Sequence, residues 1–214
     1  MALERLIVFF SLLFHGYICT LASDPDPLRD FCILINSSDS SCKNASEVTA
    51  ENFVFSGLKS HGKFDEMGLS SIPANVNVFP GLNTLGMSMV RADFEVDGVN
   101  VPHFHPIATE VAYVVEGKLY SGFVDSQNRL FAKVIEKGEV MVFPRGLVHF
   151  QMNVGDKPAT IIGSFNSQNP GLIRIPATVF GSGIKDQLLE KAFGLTAKEI
   201  AKFNKRFSPP HHLT

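Results

Sequence analysis

Four side chains have the types and spacing to hold a divalent cation: His103, His105, Glu110 and His149. In Val101-Pro102-His103-Phe104-His105-Pro106 an extended backbone sends alternate side chains to opposite faces, so His103 and His105 share one face while Phe104 packs on the other. Their Cα atoms then lie about 7 Å apart, close enough for both imidazoles to converge on one ion. Glu110 follows, with Pro106 bending the chain between, so its carboxylate can arrive from an adjoining strand as an anionic third ligand. His149 comes just after the Pro144-Arg145-Gly146 turn, in an apolar strand whose Val148 and Phe150 face away from it. An imidazolium in such a wall is costly, whereas a neutral ring on a metal is well accommodated. A lone His-x-His is more often a surface or structural pair; the conjunction with Glu110 and His149 is what makes the ligand reading prevail.

Three neutral imidazoles and one carboxylate leave a divalent ion with net positive charge. If it is six-coordinate, two positions stay open for water, dioxygen, a small anion or a bidentate substrate. The donor set does not choose the metal, because manganese(II) binds most weakly of the divalent series and copper or zinc would win a simple competition. The other histidines read differently: His61 sits in a polar loop, His211 and His212 in a Pro-flanked tail, and His15 in the leader described below.

The ligands must be carried by strands. From about 76 to 176 short β-like runs alternate with turn residues, in the order 84–94, 110–115, 119–124, 130–135, 140–143, 148–152 and 160–165. In the first, Leu85, Met87 and Met89 share a face, and Asp97-Gly98 supplies the turn that follows. Some eight strands at this spacing point to a sandwich or barrel, hence a mainly β fold. Beyond 177 the period becomes helical: Leu188, Leu189 and Phe193 recur up to Gly194. Thr196-Ala197-Lys198-Glu199 is then a capping box for a second helix carrying Ile200, Phe203 and Phe207. The two apolar stripes could dock on the same subunit or on a neighbour.

Composition narrows the function. The 214 residues are 45% hydrophobic and 19% charged, which excludes a mainly disordered chain. Lysine and arginine total 19 against 21 acidic residues, with no long run of either sign, so a nucleic-acid partner is not expected. Gly181-Ser182-Gly183 lacks the third glycine and the strand-to-helix context of a dinucleotide site, and no serine or cysteine hydrolase motif is present. Arg145 and Lys137, beside turns, read as solvated charges.

Residues 1–22 read as a secretory signal peptide, with Leu6 to Phe14 as its apolar stretch and small residues Ala22 and Ser23 near the cleavage point. An uncleaved anchor is the alternative, although the stretch is short for a bilayer, and no later segment offers a span. Cleavage removes Cys19 and leaves Cys32 and Cys42 in an oxidising compartment, where a disulfide is the default and two free thiols the alternative. Asn36-Ser37-Ser38 and Asn44-Ala45-Ser46 are N-glycosylation sequons in or beside that loop. Four parts are expected: the leader, an N-terminal extension over 23–75, a β unit over 76–176, and helices with a tail over 177–214.

The two ligand blocks resemble the paired motifs of the cupin superfamily in its germin and germin-like branch, plant proteins of the cell wall and extracellular space. Gly98, His103, His105, Glu110 and Gly117 match the first motif; Gly138, Pro144, Gly146, His149 and Asn153 match the second. The likeness extends to Asp24-Pro25-Asp26-Pro27-Leu28-Arg29-Asp30-Phe31-Cys32, Phe79-Pro80-Gly81-Leu82-Asn83-Thr84-Leu85-Gly86 and Ser164-Phe165-Asn166-Ser167-Gln168-Asn169-Pro170-Gly171, essentially the whole mature chain. It implies a jelly-roll β-barrel holding one manganese ion, a C-terminal helical extension used in subunit association, and a homo-hexamer built as a trimer of dimers. Two departures are a shorter cysteine loop than in true germins and Asp97 where the pattern usually has glycine.

The same resemblance implies two reactions. Superoxide dismutation needs an accessible metal position, a tuned potential and a path for a small anion. Oxalate oxidation also needs groups that position a dicarboxylate. Asn100 matches one of two asparagines implicated in handling oxalate, but the other position holds Val90, whose side chain cannot donate a hydrogen bond. Superoxide dismutase therefore ranks above oxalate oxidase. A third reading is a cell-wall, receptor-like or defence protein that acts by binding alone.

Overall fold

The computed structural model describes residues 30–35 and 41–208. The leader, the Asn36 sequon and the tail histidines lie outside the described residues. Among the described residues ten strands form two antiparallel five-stranded sheets, in the order β1-β2-β9-β4-β7 and β10-β3-β8-β5-β6. The strands are β1 (Leu69–Ala74), β2 (Ser88–Phe94), β3 (Val99–Phe104), β4 (Glu110–Glu116), β5 (Lys118–Val124), β6 (Leu130–Glu136), β7 (Val140–Phe143), β8 (His149–Asn153), β9 (Ala159–Phe165) and β10 (Ile173–Arg174). The two sheets make the jelly roll. Three helices follow, α1 (Ile175–Phe180), α2 (Asp186–Phe193) and α3 (Ala197–Phe207).

Period-two burial drives the sandwich. Along β4, Glu110, Ala112 and Val114 are buried while Val111, Tyr113 and Val115 are exposed, so one face of each strand is turned inward. The apolar core of Leu69, Phe94, Val114, Leu119 and Ala159 fills one end of the space between the sheets. The ladders put Glu110 opposite Phe165 and Phe123 opposite His149, which leaves the other end for the polar cluster. Gly117 turns β4 into β5 at φ 86°, and a Cβ there would lie 2.6 Å from the Ala159 Cα.

Several elements differ from expectation. β1 precedes the boundary at 76 and pairs with β2 from Leu69↔Phe94 to Ala74↔Met89. β2 begins at Ser88, not at 84, because Thr84 and Gly86 have φ of 66° and 64°, which breaks the extended run. Asp97 takes φ 60°, a left-handed conformation that aspartate tolerates better than most residues, so the departure from glycine leaves the turn intact.

Cys32 and Cys42 are disulfide-bonded, and the buried Asn83 amide ties the loop to the body by donating to Cys32 O at 2.9 Å. Asn44 is exposed. The capping box forms: Thr196 N–H donates to Glu199 Oε2 at 2.7 Å, and α2 ends on Gly194 in the left-handed region. The helical stripes divide, with Leu189 and Ile200 buried within the subunit while Leu188 and Phe193 face outward.

Candidate metal centre

The four candidate ligands come from both sheets. His103 and His149 are direct partners across the β3–β8 ladder of one sheet, whereas Glu110 opens β4 in the other. His105 follows the end of β3. A register shift between Asn100 and His103 re-aims that strand before the ligands, as bulges beside functional sites commonly do. All four side chains are buried, and one ligand atom from each lies within 4.8 Å of every other.

Hydrogen bonding fixes which nitrogen faces inward. The Nδ1 atoms of His103, His105 and His149 lie 2.8, 2.5 and 2.9 Å from the carbonyl oxygens of Val101, Gly171 and Leu147. A carbonyl only accepts, so each Nδ1 carries the proton and donates it, and in the neutral ring each Nε2 presents a lone pair. The Nε2 atoms of His105 and His149 both lie 3.2 Å from Glu110 Oε2. Lone pairs on three acceptors at that separation repel unless a positive charge sits among them. Adjacent ligands on a six-coordinate ion at about 2.1 Å are spaced by about 3 Å, so the donor set fits a divalent cation.

Electrostatics agree with that chemistry. Burial, then the neighbouring His149, pushes His103 down to about 3, so its ring is neutral at physiological pH. Burial opposes ionisation of Glu110, but the imidazoles of His105 and His149 beside it prevail and hold the carboxyl down to about 2. A neutral His103 and an ionised Glu110 are the protonation states metal binding requires of them.

Supporting groups that the sequence did not mark complete the site. Phe143 stacks on His149 with centroids 4.5 Å apart, and the Phe165 ring meets His105 edge-on at 4.6 Å. Arg145, read as a solvated charge, is exposed but donates through Nε to Pro106 O at 3.0 Å; Gly146 N–H donates to His105 O at 3.0 Å. The Pro-Arg-Gly turn thus holds two successive carbonyls, those of His105 and Pro106. Gly163 is the close-approach position, since a Cβ there would strike Glu110 Oε1 and come within 2.8 Å of Val90 Cγ1. Asn100 lines the cavity beside the cluster and donates through Nδ2 to Gln151 Oε1 at 2.9 Å. His61 is exposed, with its ring 5.0 Å from Phe64 and away from the cluster, and Lys137 is exposed.

Comparison with known proteins gives a consistent result. The Cupin family profile matches residues 47–201. A germin-like protein of Arabidopsis thaliana, subfamily 3 member 2, is 58% identical over 200 residues, 89% of this chain and 88% of the relative. The rhicadhesin receptor of Pisum sativum is 47% identical over 194 residues, 86% of this chain and 88% of the relative. A solved oxalate oxidase superposes with a TM-score of 0.83 at 40% identity, covering 86% of this chain and 98% of the other.

Proposed function

The chain belongs to the cupin family, in its germin-like branch, and from that premise we propose that it is a secreted manganese protein of the plant extracellular space with superoxide dismutase activity and a role in defence. The observation that carries the reading is the set of three imidazole Nε2 lone pairs converging with Glu110, each fixed by an Nδ1–H bond to a backbone carbonyl. Bound manganese would supply a one-electron redox couple. In dismutation one superoxide is oxidised to dioxygen, and a second, taking up the electron and two protons, is reduced to hydrogen peroxide. This chain's residues orient the donors and keep them in one tautomer. The rings of Phe143 and Phe165 shield the imidazoles, and Arg174, at the cavity beside the cluster, offers a positive charge to an approaching anion.

Oxalate oxidation is ranked lower despite the likeness to oxalate oxidase, because Val90 brings an apolar side chain beside Glu110. The deciding experiment combines metal analysis of the native protein with parallel superoxide and oxalate assays. Stoichiometric manganese with superoxide turnover, and little hydrogen peroxide from oxalate, is expected. Stoichiometric zinc, or oxalate turnover that scales with manganese, would refute the assignment.

A binding function without turnover draws on a different observation: the outer face of β4 and β7 exposes Val111, Tyr113, Val140 and Val142. A hexamer would bury part of such surface and repeat the rest, and one relative is named a receptor. A folded His103→Ala protein separates the readings. Biological activity that survives in it belongs to the surface; activity that vanishes belongs to the metal.

A further inference from the structure

Arg174 is the one arginine among the described residues with neither a hydrogen bond nor an ion pair to another of them: Arg91, Arg129 and Arg206 face carboxylates, and Arg145 donates to a carbonyl. It ends β10, an edge strand, and pairs directly with His103 of β3. Residues directly opposite in an antiparallel ladder send their side chains to the same face, so Arg174 starts on the side of the metal ligands. His103 is buried while Arg174 is exposed, which puts the guanidinium at the mouth of the site.

Two cavities meet there. One, of about 320 Å³, lies beside the ligand cluster; the other, of about 220 Å³, lies against the helical extension, and Asn100 and Arg174 line both. Around the first, the polar groups besides the ligands and Arg174 are Ser71, Asn75, Ser88, Asn100 and Asn169. Ser88 Oγ–H is engaged by Ser167 O at 2.6 Å and Asn100 Nδ2 by Gln151 Oε1 at 2.9 Å. Asn75 accepts from Asn77 N–H through Oδ1, which leaves its Nδ2 as a donor, while Ser71 and Asn169 make no side-chain hydrogen bond among the described residues. In the second cavity the two carboxylates are occupied, Asp65 by the N–H groups of Met67 and Leu69 and Glu66 by Arg206.

Resting on the metal-binding reading above, we infer that Arg174 is the outer half of a two-point anion site, and that the cavity takes an aliphatic dicarboxylate too long to close both acid groups on the metal, with one carboxylate on the ion and the other at Arg174.

Charge gives the class. A divalent ion with three neutral imidazoles and Glu110 carries one net positive charge, and Arg174 adds a second with no carboxylate against it, so a dianion neutralises the cavity where a monoanion does not. Burial gives the length. The inner charge is enclosed and the outer one lies at the mouth, so the two acid groups must be separated by a carbon chain. Ala92 and Ile161, between the polar ends, suit its methylene groups. A guanidinium meets a carboxylate through two parallel N–H donors, and the exposed Asn169 amide offers a further donor beside it.

Succinate and butyrate share a carbon count and differ by one acid group, which makes them suitable probes, read by calorimetric titration of the manganese(II)-loaded protein after its metal content has been measured. Apolar burial alone would favour butyrate. Succinate is expected to bind about fivefold or more tightly, and Arg174→Gln to bring the ratio to about one. Arg174→Met, also neutral, takes its place if the glutamine variant fails to take up metal. Butyrate binding as tightly as succinate to the unaltered protein overturns the inference, as does a succinate preference that a fully metallated Arg174 variant keeps. A metal-loaded protein that binds neither probe sinks this inference alone. A protein that takes up no divalent metal sinks the metal reading as well.

Discussion

A carboxylate buried to 4% exposure with two imidazole nitrogens against one of its oxygens carries a desolvation cost that only a positive charge offsets well. Glu110→Gln keeps the shape and removes the charge. Its manganese affinity should fall by more than about a hundredfold, because even the loss of an outer partner to a metal ligand costs about 10- to 100-fold. The protonation states set a pH dependence whose sign is fixed. His103 titrates near 3 in the fold against an ordinary 6.5, and Glu110 near 2 against 4.5, so below each ordinary value the unfolded chain binds a proton the fold refuses. Both contributions are intact above 6.5. The His103 contribution is lost as pH falls toward 3, and the Glu110 contribution between 4.5 and 2. Urea midpoints of the metal-free protein should therefore decline from pH 7 to pH 4; a flat profile would contradict the neutral buried ring.

At the level of elements, the cluster depends on how closely β9 lets Glu110 approach. Gly163→Ala adds a methyl where the Glu110 carboxylate and Val90 already sit, so the carboxylate must move. Metal affinity should drop by about tenfold or more while the far-ultraviolet spectrum stays unchanged, checked by metal stoichiometry and circular dichroism. That glycine escaped sequence reading because its constraint comes from β4 and β2, distant in the chain. The ligands were legible because local rules suffice: alternation places His103, and turns flank His105, Glu110 and His149. Strands β4 to β9 were legible as short β-like runs bounded by turn residues, even though the buried face of β8 is polar, with His149, Gln151 and Asn153, and Ile135 is the one buried residue of β6. β1 was not, since Ser71 and Pro73 on its inner side look into the cavity and need not be apolar, and Pro73 is tolerated because the strand lies at a sheet edge. Nor do β10 and α1 have a periodic signature; their positions follow from pairing with β3 and packing beside it. The stacking of Phe143 and Phe165 on the imidazoles is likewise a product of sheet register rather than of sequence spacing.

For the whole molecule, exposed apolar side chains are widespread, Val54 and the β6 residues Leu130 and Phe131 among them, and two groups of them lie on separate elements. One is the outer face around edge strand β7, where Val111 lies across from Val142 and Tyr113 from Val140 in the ladder. The other is on the helical extension, where Leu188 and Phe193 are 58% and 54% exposed. A trimer of dimers needs two different self-complementary or cyclic contacts, and contiguous apolar surface left bare on a soluble subunit commonly marks such contacts. No helix among the described residues is long and apolar enough to cross a membrane, so a bilayer-spanning helix does not explain these surfaces. If each serves one interface, Val140→Asp with Val142→Asp should leave a smaller assembly, and Leu188→Asp with Phe193→Asp a different one. All four substitutions together should leave monomers that keep their metal, because none of these residues touches the ligand cluster. Light scattering coupled to gel filtration reads the masses; a hexamer that survives both pairs of charges would place its contacts elsewhere.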